Sequence, residues 1–298
     1  MVVVREVNRQ PSLLPVENQT GTDAIHVRGL SKAYRGRAAV RDLDLDVATG
    51  EVFAILGPNG AGKTTTIEIL EGHRKRDAGQ VRVLGEDPGT AGRAWRARIG
   101  IVLQEASDFG MLTVAETLRM FGQCYGAVRE PDDLLDLVGL GATAAQRVRT
   151  LSGGQRRRLD VALGIIAAPE LLFLDEPTTG FDPEARQQFW DLVRLLAAEG
   201  TTILLTTHYL EEAAALADRV AVVSDGRVVA VDSPSRLTAH ADDTATVSWM
   251  VGGVLRVERT AHPTELIRQF STDGVELDGL TVTRPSLEDA YLQLIGRP

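Results

Sequence analysis

The chain of 298 residues has one cysteine, Cys124, and only three lysines, Lys32, Lys63 and Lys75, beside 29 arginines. A lone cysteine excludes an internal disulfide, which fits a reducing compartment, and Cys124 reads as a small buried hydrophobe on a helix. A basic excess is also missing. The formal net charge is -9, whereas a broad contact with nucleic-acid phosphates needs a positive surface, so no nucleic-acid partner is expected. Long apolar runs are missing too: residues 161–174 are interrupted by Pro169 and Glu170, short of the roughly 20 residues that cross a bilayer. The opening MVVVREVNRQ lacks the basic start, apolar core and small-residue cleavage site of a secretion signal, and residues 1–22 read as a polar, mobile lead-in.

What is present begins at residues 57–65, GPNGAGKTT, directly after the apolar run VFAIL and before TIEIL. Strand, glycine-rich loop and helix in that order are the setting of a phosphate loop. Gly57, Gly60 and Gly62 let the backbone fold tightly with N–H groups turned inward, and the helix N-terminus faces the same anion. Lys63 reaches the β and γ phosphates as a point charge, and Thr64 offers a hydroxyl to magnesium.

The rest of the chain divides around this loop. Ile25 and Val27, then Leu43, Leu45 and Val47, alternate with polar residues and predict half-buried antiparallel strands. Tyr34 sits on a loop between them, either stacking on an adenine ring or packing as an ordinary tyrosine. Short β-rich runs at 80–84 and 99–103 follow, the second ending at Gln104. A capping box at Thr113 and Glu116 opens a helix to about residue 125, and another helix covers about 131–138, with no heptad array.

LSGGQ at 151–155 places Ser152 as the N-cap of a helix to about residue 167, a second candidate anion site. Arg156, Arg157 and Arg158 then read as a solvated or nucleotide-facing edge. The apolar run LLFL ends in Asp175 and Glu176, so a central strand delivers two acids to the sheet edge where open α/β sheets bind ligands. One carboxylate can serve magnesium while the other faces water, provided the chain is leaving the strand there. Asp182 with Pro183 caps a helix ending at Gly200, and capping suffices locally to explain Asp182. A strand over 201–206 ends at His208, either a structural histidine or a neutral donor to a γ-phosphate. A hairpin turns at Asp225 and Gly226.

With GPNGAGKTT, Gln104, LSGGQ, LLFLDEP and His208 in that order, the chain resembles the ATP-binding subunits of ABC transporters over about residues 23–235. The resemblance implies an α/β phosphate-loop NTPase of ABC type: a mixed core sheet with helices, an antiparallel β subdomain and a helical subdomain at about 105–165. That domain is expected over 23–238, with a small C-terminal α+β appendage over 239–298. The implied ligands are ATP and Mg2+. The implied nucleotide-binding residues are Tyr34 against adenine and Gly57, Pro58, Asn59, Gly60, Ala61, Gly62, Lys63, Thr64 and Thr65 around the phosphates. Gln104 and Asp175 would complete the magnesium shell with Thr64, Glu176 would be the general base, and His208 the γ-phosphate switch. Ser152, Gly153, Gly154 and Gln155 would close over ATP bound by a second ATP-binding subunit, with Asp182 at that contact. The run TTTIEILEG, the wording LDEPTTGFDP and the tail SLEDAYLQLIG look like the branch that powers exporters of drugs and antibiotics, although Phe181 stands where that branch commonly has leucine. A separate transmembrane permease and a place on the cytoplasmic face of the cell membrane are implied. An importer subunit shares every catalytic residue. A DNA-repair ABC protein would carry a coiled coil between loop and signature, and a ribosome-acting one two cassettes per chain.

Overall fold

The computed structural model describes residues 23–102, 110–124, 129–240, 244–271, 277–284 and 286–296. The expected lead-in over 1–22 and Gln104 lie outside the described residues. In chain order the elements are β1 (Asp23–Tyr34), β2 (Arg37–Ala48), β3 (Val52–Leu56), α1 (Lys63–Leu70), β4 (Ala78–Val83), α2 (Arg93–Arg96) and β5 (Ile99–Val102). There follow α3 (Val114–Gly122), α4 (Pro131–Leu137), α5 (Gly153–Ile165), β6 (Leu171–Asp175), α6 (Pro183–Ala198), β7 (Thr202–Thr207) and α7 (Leu210–Leu216). The chain continues through β8 (Arg219–Ser224), β9 (Arg227–Asp232), α8 (Pro234–His240), β10 (Ala245–Val251), β11 (Val254–Thr260), α9 (Pro263–Phe270), β12 (Thr281–Thr283) and α10 (Leu287–Leu294).

The central sheet runs β5-β6-β7-β3-β8-β9, parallel except for the antiparallel pair β8 and β9. All residues of β3, β6 and β7 are buried, which is why they read as unbroken apolar runs: a parallel sheet is covered on both faces. Strand parity then sorts the side chains into two cores. Ala54, Leu56, Leu172, Leu174, Ile203 and Leu205 join α3 to α6 in one. Phe53, Ile55, Leu171, Phe173 and Leu204 join α1 and the antiparallel sheet β2-β1-β4 in the other. The mixed sheet and the antiparallel front sheet agree with the expected fold class.

Two local expectations change. Tyr34 is the last residue of β1 and pairs with Arg37 across the tight turn Arg35-Gly36, not a loop residue. Cys124 is exposed, because α3 stops at Gly122 and the cysteine falls beyond the C-cap Gln123. In the C-terminal part, β10, β11 and β12 form a separate antiparallel sheet, while α10 returns to pack on α7 and α8 and buries Leu287 in the main core. Among the described residues no helix is long and apolar enough to cross a membrane.

Directly after α1, Glu71 is buried, and His73 Nδ1 lies 3.3 Å from its Oε2 without hydrogen-bonding geometry. Burial, with the nearby charges of Asp175 and Glu68, pushes this carboxyl from an ordinary value near 4.5 up to about 8. The folded chain therefore holds a proton that the unfolded chain releases near its ordinary value. The stability linked to this group is complete below about pH 4.5 and is lost as pH rises through about 8. Urea unfolding at pH 5, 6.5 and 8 checks this: Glu71→Gln should gain on the wild type as pH rises, by roughly a few kcal/mol at pH 8.

Candidate functional site

Three adjacent strands of the central sheet, β6, β7 and β3, end at the same edge. They deliver Asp175 with Glu176, Thr207 with His208, and Gly57 respectively. An open parallel sheet gathers its functional groups this way, at the carboxyl ends of the strands.

The loop between β3 and α1 is held by Gly57 N donating to Thr207 O (3.4 Å), Ala61 N to Pro58 O (3.1 Å) and Gly226 N to Ala61 O (3.1 Å). Two of its glycines are required by space. A Cβ on Gly57 would stand 2.4 Å from Val223 O, and one on Gly62, whose φ is +99°, would stand 2.4 Å from Ala39 O. Gly60 also has a positive φ, +82°, but a Cβ there meets nothing within 4 Å. No side chain caps the N-terminus of α1 and its first turn carries no acid, so its N–H groups and positive end suit an anion.

Lys63 is buried at the start of α1, and its Nζ donates to Gly57 O at 2.9 Å and pairs with Glu176 Oε1 at 3.2 Å. On the other side of the carboxylate, His208 Nδ1 lies 3.3 Å from Glu176 Oε2, outside hydrogen-bonding geometry. The His208 ring lies 4.1 Å from that of Tyr209, centroid to centroid. Lys63, Glu176 and His208 are thus brought together from residues far apart in the chain.

Glu176 adopts φ +44°, the left-handed region that a residue with a side chain rarely enters. The chain is leaving the strand here, as the placement of two acids required. Three groups hold the bend. Glu176 N donates to Thr206 O (3.1 Å) and to Thr206 Oγ1 (3.1 Å), and Thr206 Oγ1 donates to the buried Asp175 carboxylate. From α5, the buried Arg157 guanidinium donates to Asp175 O (3.1 Å) and Pro177 O (3.0 Å), bracketing Glu176 on both sides. Arg157 is therefore not part of a solvated edge, and burial pulls its pKa down against the opposing pull of Asp160, Asp175 and Glu212. Sequence reasoning passed over this residue because an RRR run reads as surface.

It also missed Glu212, fully buried on α7. Its carboxylate accepts from Thr178 Oγ1 (2.8 Å) and Trp190 Nε1 (3.4 Å), joining the segment after Glu176 to α6 and α7.

Ser152 caps α5 as expected, accepting from Gln155 N (3.2 Å) while Gln155 Oε1 accepts from Ser152 N (3.0 Å). Asp182 caps α6 through Ala185 N (2.8 Å). Among the described residues no hydrogen bond or ion pair joins Ser152, Gly153, Gly154, Gln155 or Asp182 to the phosphate loop. Tyr34 is half-exposed beside two cations, Lys32 Nζ 5.7 Å and Arg74 Cζ 5.3 Å from its ring centroid.

A family model described as "ABC transporter" matches residues 40–179. The chain is 40% identical to the daunorubicin/doxorubicin resistance ATP-binding protein DrrA of Streptomyces peucetius, over 94% of this chain and 95% of that protein. It is 44% identical to the Nod factor export ATP-binding protein I of Paraburkholderia xenovorans, over 92% of this chain and 97% of the relative. A solved ATP-binding subunit of an ABC transporter superposes with a TM-score of 0.68 at 24% identity, covering 91% of this chain and 99% of that one. A dimeric bacterial ABC transporter cassette superposes with a TM-score of 0.63 at 23% identity, covering 70% and 98%.

The two glycine environments separate sterics from conformational preference. Gly62→Ala should lower affinity for a fluorescent ATP analogue at least tenfold, because its Cβ collides with backbone at Ala39. Gly60→Ala should cost stability only, on the order of 1 kcal/mol of left-handed strain. Equal loss of affinity in the two variants would contradict the steric account.

Proposed function

The chain belongs to the ATP-binding subunits of ABC transporters, and on that premise we propose that it hydrolyses ATP to drive a separate membrane permease that exports drug-like or antibiotic molecules. The observation that carries the enzymatic part is the Glu176 carboxylate held between Lys63 and His208 beside the phosphate loop. Export is favoured because similarity to relatives named for drug resistance and Nod factor export extends over 92–94% of the chain, including its C-terminal part.

The loop fits a triphosphate: Gly57 and Gly62 leave no room for side chains, and α1 presents an uncapped, acid-free N-terminus. Backbone N–H groups of residues 57–65 with Lys63, Thr64 and Thr65 would bind the phosphates, and Tyr34 would stack on the adenine. Thr64, Asp175 and Gln104 would hold Mg2+, which when bound offsets phosphate charge. Glu176 accepts the proton of the attacking water, its carboxylate standing between Lys63 and His208. His208 donates to the terminal phosphate oxygen. Ser152 to Gln155 and Asp182, unattached to the loop of their own chain, would complete the site of a second ATP-binding subunit. The units in this reading are a lead-in at 1–22, an ATP-binding domain at 23–238 with its helical part near 105–165, and an accessory part at 239–298. The subunit would work at the cytoplasmic face of the membrane.

Glu176→Gln should cut ATP turnover by about 10² to 10⁴ while leaving nucleotide binding within about threefold of wild type, since a positioned base contributes on that scale. Phosphate release at the wild-type rate from the purified variant would sink the assignment. For export, the membrane protein that co-purifies with the chain decides: an export-type permease supports the reading, and a permease with a substrate-binding protein overturns it in favour of import.

A further inference from the structure

The C-terminal sheet has the order β11-β10-β12, so β11 is an edge strand. Among the described residues nothing pairs with its outer side. Residues 254–259 are all exposed, with Val254 at 64%, Leu255 at 59% and Val257 at 55%, while Ala245, Val247 and Trp249 on β10 are buried. The edge carries no proline, lysine or bulge, only the charges of Arg256, Glu258 and Arg259, and its register with β10 runs without a shift from Ala245↔Thr260 to Val251↔Val254. An open, regular edge with projecting aliphatic side chains is a template for one more strand.

The sequence of β11, VLRVERT, indicates which strand. Two copies of one strand can pair antiparallel in a single sheet only about a two-fold axis perpendicular to the sheet, since facing side chains must share a face. The axis therefore passes through a residue. Full overlap of residues 254–260 puts it through Val257. Arg256 then faces Glu258 of the second copy, and Glu258 faces Arg256 of the second copy. Moving the axis by one residue sets Arg256 on Arg256 or Glu258 on Glu258, which is destabilising. The register of greatest overlap is thus also the register of charge complementarity. Among the described residues neither Arg256 nor Glu258 makes an ion pair or hydrogen bond within its own chain, so both charges are available.

We propose that β11 is a self-association edge: two copies of this chain pair through it about Val257, joining two three-stranded sheets into one of six strands, without nucleotide. The proposal rests on the reading that two ATP-binding subunits act together and adds a standing tether to it. One strand pair is smaller than a standard interface of about 1,600 Å², so the contact is weak, with a dissociation constant of roughly micromolar order. Its effect is to keep two ATP-binding domains at a high effective concentration.

Sedimentation equilibrium of the full chain without nucleotide tests it. The wild type should dimerise, Glu258→Arg or Arg256→Glu should weaken the dimer at least tenfold, and the double exchange Arg256→Glu/Glu258→Arg should return it to within about threefold. In a Cys124→Ser background, Val257→Cys should cross-link between copies on mild oxidation and Val251→Cys should not. A wild type that stays monomeric at 100 µM in this assay, or single reversals without effect, or a double exchange without rescue, would overturn the proposal. Dimerisation of Glu176→Gln on adding ATP is measured separately, with and without Glu258→Arg. If ATP-driven pairing survives while nucleotide-free pairing is absent, only the edge contact is wrong. If the edge dimer forms and ATP adds nothing, the composite ATP site fails instead.

Discussion

The Glu176 carboxylate is the contact on which the site depends, because it ties together three strand ends that the chain visits far apart in sequence. Lys63 approaches it from the loop after β3, His208 from the end of β7, and Glu176 itself stands at the end of β6. Adjacent placement of these strands makes the approach possible, and the parallel sheet places all three ends on one side. The backbone under Glu176 must leave the strand in a left-handed turn, and such a turn persists only where its surroundings over-determine it. Thr206 bonds it from the neighbouring strand and Arg157 forks onto the carbonyls on either side.

Arg157 has a further consequence for how the two motifs communicate. It sits on the helix that begins at Ser152, five residues after the cap, and so belongs to the signature segment by sequence. Its guanidinium is bonded to the carbonyls of Asp175 and Pro177, on either side of Glu176. Arg157 therefore ties α5 to Asp175 and Pro177 through two hydrogen bonds in a buried setting, where such bonds are costly to leave unmade. The segment proposed to meet a second subunit's nucleotide is thus hydrogen-bonded to the backbone around Glu176 of its own chain.

Much of this was legible beforehand, for physical reasons that differ by residue. Gly57 and Gly62 announced themselves because backbone collides with any side chain there, which leaves a spacing visible in sequence. Buried parallel strands were readable as apolar runs, and Thr113, Ser152 and Asp182 as caps, because both rules are local. The failures are non-local. Arg157 and Glu212 are charged residues buried by tertiary contacts to carbonyls, hydroxyls and an indole, and nothing in their neighbours along the chain marks them. Cys124 was misplaced by a helix end about three residues earlier than the pattern suggested, and Tyr34 by a hairpin tight enough to keep it in the strand.

The C-terminal part shows the same contrast on a larger scale. Its α+β make-up was visible, yet the destinations of its elements depend on packing: α10 returns to α7 and α8 and places Leu287 in the main core, while β11 leaves its aliphatic residues outside. Packing of α10 on α7 and α8 attaches that helix to the part of the chain that carries the central sheet. A weak contact at such an edge acts through geometry and effective concentration, which requires no direct contact with the nucleotide site.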